Sequence, residues 1–178
     1  MALRTWKRLR RSFELKNPWW TYRREDVLLP SGKQGEYHFV HVLGSSMIVP
    51  LIGPDTLIMV NQYRYLADRE SLEFPCGSVK EGSTFDETAR HELAEETGFR
   101  SSDIRSVCEF NPYNGVTDEM CRIYIARDLV AVESHPDDTE EFEQVRLSFS
   151  DFEKKVRSLE IWDGMTLAAW ALVRHLIA

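Results

Sequence analysis

The segment between Gly82 and Gly98 restricts the fold more than any other. Thr84 and Glu87 stand at capping-box spacing, where each side chain satisfies an otherwise free backbone donor at a helix start. Phe85, Ala89 and Leu93 then recur every four residues, giving one apolar stripe, and Gly98 is placed to end the helix in a left-handed conformation. The flanks read differently. Tyr37 to Val42 and Ser46 to Ile52 read as strands separated by Gly44, and Thr56 to Tyr65 is a longer β-branched and aromatic run. Pro30-Ser31-Gly32 and Gly53-Pro54-Asp55 read as turns. More strands are expected near 104–110, 121–126 and 143–149, and two closing helices near 150–158 and 164–177. A helix with one apolar stripe must bury it, and closely spaced strands offer a sheet to bury it against. The expected class is therefore α/β of the α+β type, a curved mixed β-sheet with this helix packed on it and further helices outside.

The same helix carries an arrangement that stability alone does not favour. Glu92, Glu95 and Glu96 stand at i, i+3 and i+4, so their carboxylates share one face. Like charges four apart repel by ~0.2–0.5 kcal/mol in an isolated helix. Acids in the last turn also oppose the helix dipole, at roughly 0.3–1 kcal/mol each when exposed. A hard divalent cation resolves both, because it prefers oxygen ligands and turns repulsion into coordination. A solvated acidic face is the competing reading of the spacing alone.

Composition narrows the class. A length of 178 residues suits one domain with a short appended arm. The net charge of −7 argues against a general nucleic-acid binder, although a local cationic pocket or a bound cation still admits an anionic small substrate. There is no apolar run near the roughly 20 residues of a membrane-spanning helix, and no secretory pattern. Cys76, Cys108 and Cys121 show no paired metal-ligand spacing, so a reduced, cytoplasmic protein is the simplest expectation. Residues 4 to 11, RTWKRLRR, are basic. A surface arm is the favoured reading; a basic amphipathic helix, touching a membrane surface or serving in targeting, is the less favoured one.

The stretch GSVKEGSTFDETARHELAEETGF, residues 77 to 99, resembles the signature of the Nudix hydrolase family. Gly77 opens the pattern, and Glu92, Leu93, Glu95, Glu96, Gly98 and Phe99 fill its later positions, Phe99 standing where an aliphatic residue is usual. Two positions depart: Ser83 replaces the first glutamate and His91 replaces the arginine. A Ser83–His91 contact, assisted by Arg90 or Glu81, is the expected replacement for the lost ion pair. The resemblance implies an α/β/α sandwich over residues 46–178, with residues 1–45 as an arm and small β region. It also implies one to three Mg²⁺ ions, with Mn²⁺ as a substitute, held by Glu92, Glu95, Glu96 and the backbone carbonyl of Cys76.

Similarity beyond that stretch points to the ADP-ribose pyrophosphatase and nucleotide-sugar diphosphatase subgroup. Gln62-Tyr63-Arg64 and Leu72-Glu73-Phe74-Pro75-Cys76-Gly77 resemble its substrate segments, which implies that Arg64 and Glu73 lie at the substrate. NPYNGVTDE, residues 111 to 119, resembles a loop bordering the same pocket, implicating Gly115 and Glu119. DDTEEFEQV, residues 137 to 145, resembles an acidic loop that supplies a catalytic glutamate, here Glu141, with Glu140 as the neighbouring alternative. The implied catalytic set is Glu95, Glu96 and Glu141. KNPWW and the hairpin after it resemble a region exchanged between subunits, which implies a homodimer and stacking of Trp20, or of Trp19 or Tyr22, on a base. Burial in the dimer interface is the competing reading, and the favoured one for at least two of the three. The implied reaction is Mg-dependent hydrolysis of a nucleoside diphosphate derivative such as ADP-ribose. GDP-mannose or another nucleotide sugar is the alternative substrate, and a noncatalytic ligand sensor the alternative function.

Overall fold

The computed structural model describes residues 3–132 and 142–177. They form two compact units, one comprising residues 3–43 with 111–120 and the other residues 44–110 with 121–132 and 142–177.

The first unit is an antiparallel meander of β1 (Lys7–Lys16), β2 (Thr21–Leu28) and β3 (Gln34–His41). The basic stretch is thus the start of a strand rather than a helix. The reason lies in its partner. Arg10 faces Asp26 across the ladder and Arg11 faces Glu25, so the acids of β2 receive the charge of β1. Arg10 Nε bonds Asp26 at 2.6 Å, and Glu14 accepts from both Arg11 and Arg23 at 2.8 Å. The Arg10 hydrogen bond holds the Asp26 carboxyl below its ordinary range, and the Arg23 hydrogen bond does the same for Glu14. Trp6 meets Tyr37 of β3 and Phe13 meets Tyr22 of β2, each edge-on at 5.9 Å. The 111–120 loop joins this unit: Val40 N–H donates to Val116 at 2.8 Å, and the His41 ring bonds Asp118 at 2.7 Å.

The second unit is built on a mixed sheet. Its path runs β10 (Glu143–Ser148), β5 (Thr56–Arg64), β4 (Ser45–Ile52), β9 (Cys121–Ala131), β8 (Phe99–Phe110), and among the described residues only β4 and β9 run parallel. β4 and β5 pair directly only at Leu51–Leu57 and Ile52–Thr56, next to their turn. Farther along they part. There β6 (Arg69–Glu73) takes the edge of β5 and β7 (Cys76–Ser78) takes the edge of β4. Phe74 and Pro75 therefore cross the opening between two diverging strands.

Strand alternation sends side chains to two cores. Ile48, Tyr124 and Ala126 point to one face, where α1 (Phe85–Thr97) lays down Phe85, Ala89 and Leu93, the stripe expected from the sequence. Met47, Val49, Leu51, Ile123 and Ile125 point to the other face and meet α2 (Phe149–Arg157) and α3 (Gly164–Ile177) through Phe152, Ala169 and Trp170. This unit is the expected sandwich of helices on both faces of a mixed sheet. Among the described residues, no helix is long and apolar enough to cross a membrane.

Candidate active site

The helix α1 is fixed before its acids do anything. Thr84 and Glu87 form the reciprocal capping box, and Gly98 ends the helix at φ 66° with its N–H on the Ala94 carbonyl. The Thr84 hydrogen bonds hold the Glu87 carboxyl below its ordinary range. Two sheet residues set the rotation of the helix. Ser46 Oγ donates to the Phe85 carbonyl at 2.8 Å, and the Tyr124 hydroxyl donates to Asp86. Burial, reinforced by that bond, pushes the Tyr124 phenol up to about 12, so it stays a donor at every physiological pH.

So oriented, the three acids have different surroundings. Glu96 is buried, 8% exposed, and accepts the Cys76 N–H at 3.0 Å. Glu92 lies against Gly77, where any Cβ would fall on its carboxylate and come within 2.6 Å of Glu92 Cγ. A side chain at this position would have to displace Glu92, because the loop and the helix acid share that space. Glu95 is half-buried and bonds His91 Nδ1 at 2.8 Å. That bond corrects one expectation: His91 turns to Glu95, one helical turn ahead, and not to Ser83. Ser83 sits before the cap, with its N–H on the Lys80 carbonyl at 3.0 Å. Both residues border a cavity of about 220 Å³ shared with Ser78, Lys80 and Glu92. Donor atoms of His91, Glu92 and Glu95 lie within 4.8 Å of one another.

Across the opening, Arg64 and Glu73 hold each other. Arg64 Nε meets Glu73 Oε1 at 2.8 Å, and Nη2 meets Oε2, a two-pronged charge-assisted pair. Glu73 is buried while Arg64 remains half-exposed, and the Glu73 hydrogen bond raises the Arg64 guanidinium above its ordinary value. Sequence reasoning missed what braces this turn from below. Thr166 accepts the Phe74 N–H at 3.1 Å inside the core, and Thr166 N–H in turn donates to Asp163 at 2.7 Å. Asp163 adds its charge to the field around Arg64. Trp162 donates to the Glu70 carbonyl at 3.1 Å, under the Arg69 guanidinium stacked 3.9 Å above its ring. The Asp-x-x-Thr spacing before an apolar run was a visible helix-cap signal, although its reach to Phe74 was not.

The structure thus gathers Arg64, Glu73, Cys76, Glu92, Glu95 and Glu96 in the second unit. Trp20, Gly115 and Glu119 belong to the first. Trp20 is 42% exposed, with its N–H on Asn17 Oδ1; Gly115 sits in open space; Glu119 donates its N–H to Thr117 Oγ1. Glu140 and Glu141 lie outside the described residues.

The sequence and the fold that carry this helix and loop are matched among known proteins. The NUDIX domain pattern covers residues 42–165. The chain belongs to the NUDIX family. An ADP-ribose pyrophosphatase of Bacillus subtilis is 31% identical over 147 residues, spanning 82% of this NUDIX chain and 80% of that protein. A protein of Bacillus methanolicus described as a methanol dehydrogenase activator is 26% identical over the same shares of each chain. The crystal structure of an ADP compounds hydrolase superposes on this NUDIX chain with a TM-score of 0.86 at 22% identity, over 99% of this chain and 96% of that one, a likeness of fold.

NUDIX hydrolases in general need a divalent metal, and the residues here suit one. The carboxylate oxygens of Glu92 and Glu95 converge within 4.8 Å of each other and of a His91 ring nitrogen, and the glycine opposite Glu92 keeps the space beside them clear of a side chain.

Proposed function

We propose that this NUDIX hydrolase cleaves the diphosphate of a nucleoside diphosphate derivative such as ADP-ribose, releasing a nucleoside monophosphate and a sugar phosphate. The observation that carries the reading is the close approach of Glu92 and Glu95, whose donor atoms lie within 4.8 Å of each other and of His91, with Glu92 against Gly77 and Glu96 on the Cys76 N–H of the same loop. The relative from Bacillus subtilis, aligned over four-fifths of both chains, supports the choice of ADP-ribose.

Glu92, Glu95, Glu96 and the Cys76 carbonyl would hold Mg²⁺, with Mn²⁺ as a substitute. When bound, such an ion neutralises diphosphate charge and makes a bound water more acidic. The chain's own residues do the positioning. Glu96 fixes Cys76 through its N–H, and Gly77 lets the loop close onto Glu92. Glu73 grips one edge of the Arg64 guanidinium and leaves its other edge for a phosphate oxygen. Glu141 would accept the proton of the attacking water, help typically worth ~10²–10⁴-fold. In the other unit, Trp20 would stack on the base, with Gly115 and Glu119 bordering the substrate. Trp19, at 79% exposure, supports a homodimer in which a second copy covers it. A cytoplasmic location accords with three free cysteines.

Turnover of ADP-ribose, GDP-mannose, UDP-glucose and NADH, with Mg²⁺ and with EDTA, tests this. Chelator-sensitive cleavage with ADP-ribose preferred is the expected result. Preference for GDP-mannose would move the substrate class, and silence from folded protein would favour a noncatalytic ligand-binding role.

A further inference from the structure

We infer that His91 is itself a metal donor in this chain, so that the α1 site is a mixed imidazole–carboxylate set rather than an all-oxygen one. This rests on reading α1 as the metal-binding helix. The family pattern places an arginine at this position, and a guanidinium stays protonated and offers no lone pair to an ion. Imidazole does. His91 Nδ1 stands 2.8 Å from Glu95 Oε2, and donor atoms of His91, Glu92 and Glu95 together fit within 4.8 Å. Metal bonds of about 2.0–2.2 Å place adjacent donors on one ion roughly 3 Å apart. The His91–Glu95 pair already has that spacing, and a Glu92 donor lies within 4.8 Å of both.

The second departure makes room for the first. Ser83, much shorter than the glutamate of the pattern, leaves the cavity of about 220 Å³ that His91 and Glu92 border from α1, and Ser78 and Lys80 from the loop. On its other side His91 borders a wider cleft of about 560 Å³ with Arg90, Glu95 and Arg100. The His91 side chain is 64% exposed, so a hydrated cation reaches the ring without displacing core residues. The consequence is one of selectivity. Carboxylate oxygens suit Mg²⁺ and Mn²⁺, whereas an imidazole raises affinity for Co²⁺, Ni²⁺ and Zn²⁺. A plain surface pair between His91 and Glu95 is the rival explanation, and it predicts no nitrogen at the metal.

Pulsed electron paramagnetic resonance of Mn²⁺ bound to the full chain reads that nitrogen directly. Expected is ¹⁴N modulation from a coordinated imidazole, lost in His91→Gln and in His91→Arg while Mn²⁺ stays bound. In calorimetric titration with the metals alone, His91→Gln should weaken Co²⁺ on the order of 10–100-fold and Mg²⁺ far less. Mn²⁺ that binds in a Glu92- and Glu95-dependent way without ¹⁴N modulation, or with modulation unchanged by both His91 variants, overturns the His91 assignment alone. Mn²⁺ binding unaffected by Glu92→Gln with Glu95→Gln overturns the metal reading of α1 as well.

Discussion

β1 buries none of its ten residues and β4 buries seven of its eight, so the two sheets owe their existence to different forces. β4 is a strand because Met47, Val49 and Leu51 enter one core and Ile48 the other, between ladder partners β5, β7 and β9. β1 is a strand because arginines face acids and rings meet ring edges, interactions that are individually weak at a wet surface. A sheet assembled from surface pairs leaves large apolar side chains in view: Leu15, Trp19 and Trp20 are exposed here. The lesson is that the first sheet is suited to being covered, and the second is already complete.

The comparison breaks most easily at the core. Phe152, stacked on Phe74 at 5.5 Å and set against Trp170 at 4.7 Å, should cost ~3–5 kcal/mol when replaced by Ala, measured by urea unfolding. No single substitution in β1 should approach that. Next in size, Glu96→Gln should remove most turnover, a fall on the order of 10²-fold or more, without altering the melting transition. The amide still accepts the Cys76 N–H, so fold and metal site separate cleanly. Near-normal turnover would sink its metal role.

Thr166→Val should cost about 1–3 kcal/mol, because the buried Phe74 N–H loses its acceptor, and Thr166→Ser should restore it. Equal stability of the Val and Ser variants would show that the brace is unimportant. The smallest effect belongs to the first sheet. Asp26 and Glu14 have carboxyls held below their ordinary values, so what they contribute is present at and above the usual carboxylate range. It is lost as pH falls through their lowered values. Amide exchange should therefore accelerate in β1 and β2 under acid while β4 and β9 stay protected. High salt should accelerate β1 and β2 exchange in the same selective way.

What could be read from the chain followed the range of the forces involved. The helix, its cap and its stop are set by residues three or four apart, and α1 has the predicted limits because nothing distant contradicts them. The acids on its face were legible for the same reason. β1 was not, since its strand character depends on Glu25 and Asp26, which no window around Arg10 contains. The Ser83–His91 contact failed on helical geometry, which sets His91 over Glu95. Thr166 escaped notice because its partner, Phe74, is 92 residues away.

The parallel pairing of β4 with β9 has a consequence for how the protein is made. Ser45 leaves the ribosome long before Cys121, its neighbour in the finished sheet, and Thr166 follows later still. During that interval the growing chain carries the capped helix with Ala89 and Leu93 but lacks the strand that bears Tyr124 and Ala126 beneath them. The turn at Phe74 is braced only once Thr166 has been made, so a chain cut short before Thr166 holds the acids of α1 without that brace.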